Sequence, residues 1–151
     1  MRIKFFQFAL LIVVLASMVP PVLLAAGGQG SGSADQKYVG LWAGTFTTGG
    51  GDTNKLSYTL KKDGKGQWGG TVKWVNPDGD QSADFKSLQI TDGKMKGKIE
   101  SPDGQVEVTI EGQFQGDKLE GTYAISPKGS TEVTERGTWK VTKSVGEKTG
   151  Q

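Results

Sequence analysis

Six times in this chain a glycine stands at the centre of a five-residue window of strand-like sequence: WAGTF, WGGTV, MKGKI, IEGQF, LEGTY and ERGTW. Successive side chains of a β-strand point to opposite faces, so Gly44, Gly70, Gly97, Gly112, Gly121 and Gly137 share a face with the ends of their windows. Those ends are large and apolar, apart from Glu135. A glycine inside a strand costs roughly 0.5–1 kcal/mol and leaves nothing to pack. Six of them on one face need a geometric reason. A sheet that coils sharply enough to close on itself supplies it, because glycine permits the bend and leaves room for a large neighbour. Trp42, Phe46, Trp68, Phe114, Tyr123 and Trp139 flank these glycines and can cover the bare backbone.

Turn signals recur at even intervals: Asp63–Gly64, Asp78–Gly79, Asp92–Gly93, Asp103–Gly104, Gly116–Asp117 and Lys128–Gly129. Between them the sequence alternates with period two, and no stretch after residue 26 keeps a 3.6-residue period. Parity gives eight segments. Their apolar positions are Tyr38, Trp42 and Phe46; Leu56, Tyr58 and Leu60; Trp68, Val72 and Trp74; Ala83 and Phe85, then Leu88 and Ile90. The last four carry Met95 and Ile99; Val106, Val108, Ile110 and Phe114; Leu119, Tyr123 and Ile125; Val133, Trp139 and Val141. The phase change in the fourth predicts a bulge near Lys86–Ser87. Short connections throughout favour a meander, so the predicted fold is a single-domain, all-β, eight-stranded antiparallel up-and-down barrel.

The first 26 residues differ in kind. Arg2 and Lys4 precede an apolar run, Pro20–Pro21 interrupts it, and small residues end it at Ala25–Ala26. That order is the pattern of a secretory signal peptide; a membrane anchor would have to run through two adjacent prolines. The expected division is a signal peptide over 1–26, a flexible Gly/Ser-rich arm over 27–36, the barrel over 37–143 and a disordered tail over 144–151, with the mature protein periplasmic or secreted. Removing Arg2 and Lys4 from 18 basic residues leaves 16 against 16 acidic ones. With no unanswered basic cluster, a nucleic-acid partner is not expected. The chain has no Cys, so neither a disulfide nor a lipid-anchored cysteine contributes.

Alternation alone does not say whether the apolar face meets a core or lipid, and an eight-stranded outer-membrane barrel has similar strands. Against that reading stand the uniformly short loops, the polar terminus GEKTGQ, and the charges that would crowd its lumen: Lys94, Lys96, Lys98, Glu107, Glu111, Lys118 and Glu120. The mature protein is therefore expected to be a monomer that does not span a membrane.

The span from Tyr38 to Lys143 resembles the calycin group of barrels, which comprises lipocalins, fatty-acid-binding proteins and avidins. Gly40-Leu41-Trp42 is similar to the G-x-W that opens the first lipocalin strand. In that family a basic residue of the last strand packs over the tryptophan, and the resemblance places Lys143 there. The chain departs from the pattern in having Lys for Arg, no T-D-Y motif and no disulfide. The resemblance implies capture of a small apolar ligand in the barrel mouth.

The residues themselves offer little catalytic chemistry. The absence of His and Cys removes the commonest general base, metal ligand and thiol nucleophile. No serine sits in a G-x-S-x-G elbow, and there is no phosphate-binding glycine loop. In NPDGDQSAD, Asn76, Asp78, Asp80 and Asp84 invite a calcium reading, but the glycine is two places early and Ser87 stands where a bidentate Glu is needed. A Pro-Asp-Gly turn explains the same residues, so no metal and no cofactor are expected. Glu135 is the one carboxylate on the apolar parity, read either as a buried functional group or as a rim residue where its strand begins. The interior aromatics Trp42, Trp68, Trp74, Phe85, Tyr123 and Trp139 are the candidate ligand contacts. The rival to ligand binding is a filled core with outward function, as a protein-interaction or enzyme-inhibitor module.

Two registers are expected. An SPDG loop sets Glu100 opposite Gln105, Ile99 opposite Val106 and Lys98 opposite Glu107. Barrel closure sets Trp42 near Val141 and Lys143, and Phe46 near Gly137.

Overall fold

The computed structural model describes residues 34–145. The signal-peptide reading, most of the arm and most of the tail lie outside them. Eight strands follow in order: β1 (Gly40–Thr47), β2 (Thr53–Lys62), β3 (Trp68–Asn76), β4 (Gly79–Thr91), β5 (Lys94–Glu100), β6 (Val106–Gln115), β7 (Lys118–Pro127) and β8 (Glu135–Lys143). Each pairs antiparallel with the next, and β8 returns to β1, so the sheet is a closed up-and-down barrel. Closure leaves no strand edge to guard in a chain without a disulfide.

The parity read from the sequence is the parity of the barrel. Trp42, Tyr58, Leu60, Val72, Met95, Ile110, Leu119, Trp139 and Val141 point inward and are at most a few per cent exposed. Lys94, Lys96, Lys98, Glu111, Lys118 and Glu120 are exposed on the outer face. A lipid-facing band would need the reverse arrangement, which corrects the outer-membrane alternative. The bulge also falls where the phase change put it: Phe85 faces Ile99 while Ser87 faces Lys98, leaving Lys86 as the extra residue.

The inward glycines are answered in two ways. Some permit backbone contact: a side chain on Gly121 would collide with the Glu111 carbonyl of β6, and one on Gly44 with the Lys140 carbonyl of β8. Gly70 adds a positive φ of 146°, and its missing side chain leaves room for the Thr59 carbonyl. Others are covered by rings. Phe85 lies over Gly97, Trp139 over Gly112 and Tyr123 over Gly137, with ring atoms 2.5–2.6 Å from where a Cβ would stand. Aromatic cover of a strand glycine preserves both curvature and packing.

Two registers differ from expectation. The β5–β6 turn is a four-residue loop over Pro102–Gln105, closed by Ser101 and Val106, rather than one over Ser101–Gly104. Ser101 fixes it: its backbone N–H donates to the Val106 carbonyl at 3.0 Å, and its Oγ accepts from the Val106 N–H at 3.1 Å. Glu100 therefore faces Glu107, Ile99 faces Val108 and Lys98 faces Thr109. The two-residue shift keeps every side chain on its expected face, and Lys98 still reaches Glu107 diagonally at 2.7 Å. At the seam Trp42 faces Lys143 as expected, but Phe46 faces Trp139 instead of Gly137. The last strand also starts at Glu135, leaving Val133 in the preceding loop.

The glycine account fixes an order of mutational cost. Gly121→Ala forces two backbones apart, and Gly97→Ala displaces the Phe85 ring; each should lower stability by ~1–3 kcal/mol in urea denaturation. Gly64→Ala, in a turn with open space around the position, should stay within about 0.5 kcal/mol. Equal tolerance at all three positions would contradict the account.

Candidate functional site

The two ends of the barrel are built differently. At one end the chain enters through a helical turn, in which the Tyr38 N–H donates to the Asp35 carbonyl. Tyr38 lies across this opening, 4.3 Å from Phe114 and 6.3 Å from Trp68 between ring centroids. Trp42 packs edge-on to Phe114 at 5.1 Å, and its indole N–H donates to the Tyr38 carbonyl at 2.9 Å. Lys62 pairs with Asp35, and its ammonium lies 5.3 Å from the Trp68 ring. Lys143 stands 5.8 Å from the centre of the Trp42 ring and donates to the Lys37 carbonyl. The basic residue over the first-strand tryptophan is thus in the place that the resemblance to calycins implies. This end is closed.

The opposite end carries the loops 48–52, 77–78, 101–105 and 128–134, and there the interior is hollow. A cavity of about 800 Å³ opens between these loops and descends to Tyr58, Val72 and Ile110. Phe46, Trp74, Val108 and Ile125 line it and are only partly buried, whereas Trp42, Leu60, Met95, Leu119 and Val141 of the closed half are nearly inaccessible. The rise in exposure from Trp42 to Phe46, from Ile110 to Val108 and from Tyr123 to Ile125 marks where side chains stop filling the barrel.

The walls are held by ring contacts. Tyr58 packs edge-on to Trp139 at 5.0 Å and stacks on Phe85 at 6.0 Å, while Phe46 meets Tyr123 edge-on at 6.0 Å. The Trp139 indole N–H donates to the Thr122 carbonyl at 3.0 Å, which satisfies its polar tip within the wall. Tyr123 donates its phenol hydrogen to Glu135 Oε1 at 2.7 Å. Burial, and secondarily that carboxylate, push the Tyr123 phenol far above its ordinary value; burial alone does the same for Tyr58.

Of the six aromatics singled out in the sequence, Trp74, Tyr123 and Trp139 line the cavity. Trp42 and Trp68 belong to the closed end, and Phe85 sits in the wall over Gly97, behind Tyr58. Glu135 is the first residue of β8 and lines the cavity, which is the rim position. Sequence reasoning missed Asn54 and Gln81. Both lie on the inward parity at the mouth end of their strands, so extending the alternation past Leu56 and Ala83 would have found them. The loop read for calcium is a turn: the Asn76 side chain accepts from the Asp78 N–H, and Asp84 accepts from the Thr71 hydroxyl. Among the described residues no group of acidic side chains is placed to hold a metal.

No protein-family model matches the sequence, and no curated protein matches it. Solved structures do. A redesigned β-barrel superposes with a TM-score of 0.59 at 16% identity, over 74% of this chain and 95% of its own. A de novo designed fluorescence-activating β-barrel gives 0.55 at 16% identity, over 74% and 97%. A further barrel, solved bound to DFHBI, gives 0.55 at 14% identity, over 74% and 97%. At these identities the likeness concerns the fold, a closed eight-stranded antiparallel barrel.

The two buried phenols make alkaline stability a test of this geometry. Both keep their protons in the folded state at pH values where the unfolded chain releases them near 10. Stability is therefore intact below about pH 10 and falls as pH rises further, by up to ~1.4 kcal/mol per pH unit for Tyr58 and by less for Tyr123, which faces the open cavity. Urea midpoints above about pH 10 should fall less steeply for Tyr58→Phe than for the parent. Phenolate absorbance from both residues near pH 10, in protein that is still folded, would contradict their burial.

Proposed function

We propose that the protein is an exported, non-catalytic binding barrel of the lipocalin-like kind, which takes up a small apolar ligand through its open end. The observation that carries this reading is the cavity: about 800 Å³, walled by Phe46, Trp74, Tyr123 and Trp139, and opening between the loops at one end. Ligand sites are commonly concave, apolar and aromatic-lined, with a few fixed polar groups, and cavities of 300–1,000 Å³ are typical in order of magnitude. Here Asn54, Gln81 and Glu135 are the polar groups at the mouth. Designed barrels of the same architecture support the reading, since one is described as fluorescence-activating and another was solved with DFHBI bound. Export rests on the leader-like first 26 residues, and the absence of catalysis on the lack of His and Cys. The interaction-module reading requires a filled core, a condition met only in the closed half.

The neutral dye Nile red tests this. Its binding should be saturable, 1:1, and quench tryptophan emission, because Trp74 and Trp139 line the cavity. Val108→Trp, which adds an indole inside the mouth, should abolish binding while leaving the fold intact by circular dichroism. Absence of saturable binding, or unchanged binding by the folded Val108→Trp variant, would contradict the reading.

A further inference from the structure

We infer that the cavity selects ligands with a cationic head group on an aromatic or apolar body, an inference that rests on the binding function proposed above. The charged side chains that reach the cavity are of one sign. Asp52, Asp78, Asp103 and Glu135 stand at its rim, and no Lys or Arg is among the described residues that line it. The nearby cations are directed elsewhere. Lys128 is bound to Glu100 at 2.7 Å, and Arg136 follows Glu135 on the opposite, exposed face of β8.

Glu135 is set up as an acceptor for a ligand. Its Oε1 takes the Tyr123 hydroxyl at 2.7 Å, which anchors the carboxylate at the boundary between mouth and aromatic wall. An ionised carboxylate can accept from several donors, and one phenol does not exhaust that capacity. At the rim, the Ser101 hydroxyl and the Gln105 N–H hold the Asp103 carboxyl below its ordinary range, so it is charged at neutral pH.

The walls favour the same class. Tryptophan and tyrosine faces attract a cation at short range, and Trp74, Tyr123 and Trp139 lie beside or below the acidic mouth. A ligand with an ammonium at one end and a ring system at the other would place its charge near Glu135 and its body against Trp74, Trp139 and Tyr58. An anionic amphiphile of the same shape would meet uncompensated carboxylates on entry. Opposed charge then excludes as effectively as matched charge recruits.

The experiment compares three ligands on one skeleton, 2-naphthylmethylammonium, 2-naphthylmethanol and 2-naphthylacetate, by calorimetry and tryptophan quenching. The expected order of affinity is ammonium, alcohol, carboxylate, with the ammonium at least about tenfold tighter than the carboxylate. Glu135→Gln should cost the ammonium most of its advantage over the alcohol, with circular dichroism reporting that the variant is folded. Equal binding of all three by the parent would overturn cation selection and leave the apolar-ligand reading standing. Preserved ammonium preference in Glu135→Gln would overturn the role given to that carboxylate. Failure of all three to bind would overturn both.

Discussion

The structure depends on a trade between glycine and aromatic rings across neighbouring strands. Where β5, β6 and β8 place Gly97, Gly112 and Gly137 inward, Phe85, Trp139 and Tyr123 occupy the space that a side chain there would take. Elsewhere backbone approaches backbone, as at Gly121 against the Glu111 carbonyl and Gly44 against the Lys140 carbonyl. This lets a chain with no disulfide close eight short strands into one hydrogen-bonded cylinder. The loss of intrinsic strand stability at each glycine is offset by burial of a ring and by removal of both sheet edges.

The same trade is unequal along the barrel axis, and function follows from that inequality. Toward the entry of the chain, Tyr38, Trp42, Trp68 and Phe114 converge and the opening is crossed by the Asp35–Tyr38 turn. Toward the other end, Phe46, Trp74, Tyr123 and Trp139 line a cavity. Trp139 joins the two regions: it covers Gly112 on one side and packs on Tyr58 at the cavity floor. A residue that supports the fold therefore also shapes the site.

Much of this was legible in the sequence because a period of two is a strict rule. Strand number, antiparallel order, closure, the bulge beside Lys86 and the face of nearly every residue follow from alternation and turn spacing. Register was less legible, because it is set by local contacts that alternation does not encode. Ser101 captures Val106 with its backbone and hydroxyl, moving the β5–β6 turn by one residue and the pairing by two. Parity survives such a shift, which is why the faces were right and the partners were not. The site was half legible for a related reason. Inward parity identifies all six candidate aromatics, but height along the barrel axis decides which of them meet the cavity. Trp42 and Trp74 are equivalent in alternation and opposite in position.

The central claim is that one half of the barrel is packed and the other hollow. Methyl NMR during a xenon titration tests it most directly, since xenon enters apolar cavities without needing a specific ligand. The account predicts progressive shifts at Val108, Ile110 and Ile125, and none at Leu60, Leu119 and Val141. Shifts spread evenly over both halves, or no shift at the mouth residues, would contradict it.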